Sequence, residues 1–224
     1  MKTSKMTKTE MLKRYILLVI GLFFAAVGVA ITKRGDLGVS PISSVANVIA
    51  EKFSFFTLGS WLIVWNCVLI VGQIIILRKN FEPVQLLQIP LSFLFGWFTD
   101  FGVWCASFIP ADVYPVRLIL VMIGTVILGF GITLSVIASV IMNSGEAFVK
   151  AISDTTHKNF GNIKICFDVC CVITAVVLSL IFFDIGTFGI VGTREGTIIA
   201  ALCTGLVVKF FTKLLQNPVS KLLS

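Results

Sequence analysis

Three long apolar segments in the first half of this chain have counterparts, in the same order, in the second half. Gly21-Leu-Phe-Phe-Ala-Ala-Val-Gly28 recurs as Gly124-Thr-Val-Ile-Leu-Gly-Phe-Gly131. Gly59, seven residues before Asn66, recurs as Gly161, seven residues before Asp168, and Ser92-x-x-x-Gly96 recurs as Ala201-x-x-x-Gly205. The offset drifts only from 102 to 109 residues. Three spans reverse the direction of a chain, so a second copy of the same unit must lie upside down. Inverted repeats of this kind are an architecture of transporters and channels.

Composition demands a membrane for these segments. The 224 residues are 57% hydrophobic with a mean hydropathy of +1.03. A soluble domain of that length has too little interior to hide so much apolar surface. The apolar runs cover about 15–32, 60–77, 88–109, 118–142, 164–183 and 196–212, each near the ~20 residues that cross ~30 Å of hydrocarbon. The first is too long for the apolar core of a signal peptide and reads as a span. The net charge of +7 gathers at span ends, which points to membrane topology and away from nucleic acid. With six spans and an inside amino terminus, thirteen Lys and Arg residues fall in cytoplasmic segments. Five, Lys33, Arg34, Lys52, Arg117 and Arg194, fall outside. That bias places both termini in the cytoplasm of a multi-pass cell (inner) membrane protein.

The expected fold is all-α: six transmembrane helices as two inverted three-helix repeats, each with one further short helix. The divisions are a cytoplasmic basic tail (1–14), a first repeat (15–109), an external linker (110–117), a second repeat (118–212) and a cytoplasmic tail (213–224). The connections 33–59 and 143–163 are too long for tight turns. Each reads as a loop with small polar residues followed by a short helix, over 42–50 and 146–157. Such a helix either dips into the bilayer and returns, with its backbone lining a cavity, or lies on the surface. If both dip, their N-termini converge, and their unpaired N–H groups favour anions there.

Ten residues are candidates for binding a substrate or ion. Asp36, Ser40, Asn143, Ser144 and Glu146 stand at the starts of the two short helices. Glu146 reads either as a helix cap or as a proton or cation site. Asn66 and Asp168 occupy matching places in spans 2 and 5, and Lys164 offers Asp168 an ion pair at i,i+4 spacing. Asn66 and Gln73 share a face of span 2, where they line a path or join helices. Asp100 lies within span 3, and Arg194 and Glu195 precede span 6 as an anion-binding pair or a surface anchor. The small residues Gly21, Ala25, Gly28 and Thr32 trace one face of span 1, and Gly124, Gly131 and Ser135 the matching face of span 4. The six cysteines read as small apolar residues, and the single His157 as a loop residue. No metal site, catalytic triad, dinucleotide fingerprint or ATP-binding loop is present in the sequence, so neither an enzyme nor a resident cofactor is expected.

Gly38-x-Ser-Pro41 followed by a short helix, Leu58-Gly-x-Trp61 opening a span, and Gly192-Thr…Gly196-Thr197 before a small-residue span together resemble the YczE/YitT-like bacterial membrane proteins. The resemblance covers the whole chain and implies a polytopic bacterial inner-membrane protein. It departs at the second short helix, where the family often carries Gly-Pro and this chain has Gly145-Glu146.

The leading expectation is a small secondary transporter or channel-like permease for a small polar or anionic solute, with a midplane site between the repeats. Its partners are the solute or an ion, the bilayer and, as an open case, a second copy of the chain. One alternative is the substrate-binding subunit of an energy-coupling-factor vitamin importer, with Ala25, Ala26 and Ala30 as a docking face. Another is a membrane scaffold or accessory protein that transports nothing.

Overall fold

Residues 7–183 and 190–223 are described in the computed structural model of the chain. Among them are eight α-helices and no strand: α1 (Lys8–Arg34), α2 (Pro41–Lys52), α3 (Leu58–Leu77), α4 (Gln88–Ala106), α5 (Tyr114–Ala138), α6 (Ser144–Thr156), α7 (Phe160–Phe182) and α8 (Glu195–Leu223). The six other than α2 and α6 are long and apolar enough to cross a membrane. The chain is a polytopic membrane protein. Of the basic amino-terminal tail, Lys2 and Lys5 lie outside the described residues.

The helix starts follow from local chemistry. Thr7 accepts the Glu10 N–H at 3.2 Å, Thr57 the Ser60 N–H at 3.1 Å, and Asn159 the Gly161 N–H at 2.9 Å. Each supplies an oxygen to an N–H that the first helical turn leaves unpaired. Proline opens α2 at Pro41, where a missing N–H costs nothing. α5 ends earlier than its apolar run, at Ala138, because Ser139 adopts a left-handed conformation at φ 52°. α8 runs longer than expected. It continues through Pro218 across the segment read as a tail.

At the centre, α1 and α5 cross antiparallel with their backbones in contact. A methyl group added at Gly28 would lie 2.7 Å from the Gly124 carbonyl oxygen, and one at Gly124 would lie 2.8 Å from that of Gly28. Gly21 and Gly131 stand in the same relation, at 2.8 and 2.5 Å. Four glycines thus form two reciprocal pairs. Thr32, Thr125 and Thr133 are fully buried around this crossing and donate their hydroxyls to carbonyls of their own helices.

The other long helices are laid against this pair. α4 runs parallel to α1, with Gly102 against Ala30 and with Phe23 and Phe98 ring to ring at 5.3 Å. α8 runs parallel to α5, with Gly129 against Val207 and with Phe130 and Phe211 also 5.3 Å apart. Ala25, Ala26 and Ala30 are buried in this packing, so they form no exposed docking face for a coupling subunit. α3 closes onto α4 where the Gly59 backbone meets that of Gly96. The corresponding place between α7 and α8 is open: nothing lies within 4 Å of an added carbon at Gly205, and Gly161 meets only its own cap, Asn159.

This contrast predicts opposite outcomes for two glycine substitutions. Gly28→Val forces the α1–α5 backbones apart and lowers the melting temperature of the detergent-solubilised protein, at a cost of about 1–3 kcal/mol or more. Gly205→Ala meets open space and removes a flexible residue from a helix interior, so its melting temperature is unchanged or higher.

Candidate functional site at the tips of the two short helices

α2 and α6 are amphipathic, and each packs along a long helix from the other half of the chain. At the end of α2, Lys52 Nζ donates to the Phe182 carbonyl at 3.0 Å and Phe53 packs on Phe182. Phe182 is the last residue of α7. Val45 and Val48, nearer the start of α2, cluster instead with Cys171 and Ala175 in the middle of α7. α2 therefore begins level with the middle of a spanning helix and ends level with its terminus. α6 lies along the last turns of α3, with Phe148 against Gly72 and against the Phe167 ring of α7 at 5.2 Å. The starts of the two short helices touch. A methyl group added at Gly145 would lie 2.8 Å from Ile42 Cδ1.

Each start is seated on the first turn of a long helix from the other half. For α6 the seat is a buried amide and hydroxyl network. Gln73 and Gln88 exchange two hydrogen bonds of 3.1 Å, and Gln73 Nε2 also donates to the Ser144 carbonyl at 3.1 Å. Ser92 Oγ donates to the Gln88 carbonyl and pairs with Ser144 Oγ at 3.2 Å. All four side chains are buried. For α2 the seat is the start of α8. The Gly196 N–H donates to the Leu37 carbonyl at 2.8 Å, and Asn47 Nδ2 donates to that of Gly192 at 2.8 Å. Gly38, at φ 106°, packs so tightly on Thr197 that no side chain fits there.

The two starts differ in charge. Ser40 donates to Ser43 at 2.9 Å and Ser44 to the Pro41 carbonyl at 2.6 Å, and α2 has no acid in its first turn. At α6, Asn143 Oδ1 accepts the Ser144 N–H at 3.0 Å and Glu146 stands three residues on. The Glu146 carboxyl lies close to its own N–H and to the Asn143 side chain. Its Oε2 is nevertheless buried with no hydrogen-bond partner. Burial pushes this carboxyl above its ordinary range, with the nearby Lys164 ammonium opposing.

Glu146 and Asn143 line a cavity of about 300 Å³ beside the tip of α6. Its other walls are Leu22 and Ala25 of α1, Ile132, Ser135 and Val136 of α5, and the connection from Ser139 to Met142. Across that connection lies a second cavity of about 630 Å³, lined by Glu82, Gln88, Lys150, Asp154 and His157 among others.

Of the ten residues singled out in the sequence, the structure gathers Ser40, Asn143, Ser144 and Glu146 around the meeting of the tips. Asp168 pairs with Lys164 at 2.5 Å, and both act electrostatically on Glu146. Asn66 is buried with its Nδ2 unpartnered. Asp100 stands apart at the start of α3. Its carboxylate accepts Thr57 Oγ1 at 2.6 Å and the Gly59 N–H at 2.8 Å. Asp36 is exposed and meets Arg117 at 3.4 Å, and Arg194 meets Glu195 at 3.5 Å. Gln88 was overlooked. The available signal was an amide two residues before Pro90 at the mouth of an apolar segment.

A profile described as a family of unknown function, DUF6198, matches residues 12–213. An uncharacterized membrane protein, YczE, of Bacillus subtilis (strain 168) is 28% identical over 206 residues, covering 91% of this chain and 87% of that protein. No solved structure matches.

Two measurements probe the site. Asp100→Ala removes the clasp on the start of α3 and lowers thermal stability by about 0.5–2 kcal/mol. Glu146→Gln keeps the shape and the cap but removes a charge that burial disfavours. A carboxyl raised in the folded state binds its proton more tightly there, so the stability of the parent protein falls as pH rises above the ordinary value. The glutamine variant therefore melts higher than the parent at neutral pH, and the gap narrows as pH falls toward the ordinary carboxylate range.

Proposed function

Since the chain belongs to DUF6198, a family of unknown function, we propose its activity from the geometry: it is a small secondary permease of the cell (inner) membrane. Two inverted three-span halves carry a solute past the meeting point of the short-helix tips, and both termini face the cytoplasm. The observation that carries this reading is the contact of Ile42 with Gly145. It favours α2 and α6 as helices that enter the bilayer from opposite faces. Backbone ends at that depth are tolerated only where protein or a water-filled path encloses them, and Ser43, Ser44, Ser144 and Gly145 are all buried.

Two further features support the reading. The reciprocal glycine pairs of α1 and α5 are what a twofold axis in the membrane plane between equivalent helices requires. The closed α3–α4 contact beside the open α7–α8 gap makes the halves unequal, as expected of one state in a cycle in which one bundle rocks against the other. Glu146 and the Lys164–Asp168 pair supply titratable groups for coupling to a proton or cation. The path includes no chemical step and no resident cofactor.

Purified protein in liposomes, loaded with a pH-sensitive dye, tests the proposal. Vitamins, nucleobases, amino acids, organic acids and amines are offered one class at a time, with and without sodium. At least one class crosses faster than in protein-free vesicles, and cross-linking cysteines placed at Gly161 and Gly205, in a background without native cysteines, slows it several-fold. If no class crosses above background, the permease reading fails and a scaffold role replaces it.

A further inference from the structure

We infer that the cavity beside the tip of α6 is a binding site for a small organic cation, an alkylammonium ion whose charged end meets Glu146 and whose carbon chain lies along α1 and α5. The inference deepens the permease reading. It rests on that reading for the passage of the cation but not for its binding.

Three features of the cavity converge on this ligand class. First, its walls hold one carboxylate and no cationic side chain. Lys164, which acts electrostatically on Glu146, is already held by Asp168 at 2.5 Å, and Arg14, which reaches the Ala138 carbonyl beside the cavity, is held by Glu10 at 2.9 Å. An anion entering here would meet Glu146 with nothing in the wall to compensate it. Second, Glu146 lines the cavity, and its Oε2, closed off from the cavity in this structure, has no hydrogen-bond partner, so turning the carboxyl toward a donor in the cavity supplies one. A buried carboxylate oxygen left unpaired is costly, and a charged N–H donor removes that cost by a charge-assisted hydrogen bond. One further acceptor in the wall suits the same donor. Ser135 gives its proton to the Gly131 carbonyl at 3.1 Å, so its oxygen is left to accept. Asn143 Oδ1 is occupied by the Ser144 N–H. Third, the rest of the wall is apolar apart from Ser139, with Leu22, Ala25, Ile132, Val136, Val140 and Ile141. A bare inorganic ion would give up its hydration against carbon there, whereas an alkyl chain gains by burial.

Size narrows the class. At about 30 Å³ for each water-sized group, a cavity of this volume takes about ten non-hydrogen atoms. Aromatic side chains, the usual partners of quaternary ammonium groups, are absent from the lining. A primary amine, with N–H groups to donate, therefore fits better than a fully methylated one. The α6 tip differs from the α2 tip in this respect, since α2 has no acid in its first turn.

The test uses the full chain in detergent and n-butylammonium chloride as the probe, with n-butanol, tetramethylammonium chloride and sodium chloride as controls. Thermal unfolding is followed as each is titrated at neutral pH. n-Butylammonium is expected to raise the melting temperature saturably, and the controls at equal concentration are not. Glu146→Gln is expected to weaken the effect at least tenfold in apparent Kd, while the variant elutes and melts as a folded protein. Val136→Phe narrows the cavity without touching the carboxylate and is expected to weaken n-butylammonium more than methylammonium. Equal shifts from butanol and butylammonium, a shift reproduced by sodium, an unchanged response in Glu146→Gln, or no response at all would each overturn the proposal. Liposome uptake separates it from the broader reading. Butylammonium that binds and does not cross leaves the site standing and removes transport. Uptake of another class with no ammonium binding leaves transport standing and removes this site.

Discussion

Everything else in the molecule is hung on the place where two helix backbones touch. Within lipid, helices gain nothing by leaving water, so their association depends on how closely they pack. Glycine at 21, 28, 124 and 131 lets α1 and α5 approach until carbonyl oxygens of each lie where a side chain of the other would begin. The pair is reciprocal, so no one contact can be loosened without tilting the other. α4 and α8 take their lines from it, α3 takes its line from α4, and the short helices fill the space between the halves. Threonines rather than larger polar residues surround the crossing, since a hydroxyl can return to a carbonyl of its own helix and ask nothing of a neighbour.

The short helices face a harder problem. Their first turns carry unpaired N–H groups, and that of α2 lies level with the middle of α7. The chain answers with side chains from the opposite half. Gln73, Gln88 and Ser92 hold the start of α6, and the first turn of α8 holds the approach to α2. The match is closer at α6 than at α2, where Asn47 Oδ1, Thr193 Oγ1 and Thr197 Oγ1 are buried without partners. Glu146 Oε2 is buried without a partner as well, and it alone among these atoms belongs to an ionisable group.

Much of this was legible in the sequence because the signals were local or periodic. Glycines seven apart mark one helix face, and their recurrence in the second half marked the two faces that meet. Pro41 and Asn143 announced helix starts, and both short helices begin within two residues of where they were read. Lys164 and Asp168 were visible as an i,i+4 pair. What escaped depends on residues distant in the chain. Asp100 looked like an intramembrane acid in want of a role, and its partners are Thr57 and Gly59 at the start of the preceding span. Asn66 and Gln73 share a helix face, yet only Gln73 finds an amide partner, and that partner sits on α4. The short helices meet at Ile42 and Gly145, a contact no periodicity announces. Pro218 read as the end of a helix, and α8 runs on through it.

The seating of Leu37 and Gly38 on Gly196 and Thr197 joins nearly the two ends of the chain. A ribosome delivers them in the opposite circumstances: the first loop is made early, and its seat is the last element to emerge. Through most of synthesis the approach to α2 has no partner, and its polar backbone must be shielded by water at the membrane surface or by the insertion machinery. Contacts so far apart in sequence are costly to close and form late. A chain cut before α8 would present the quality-control system with an unseated loop.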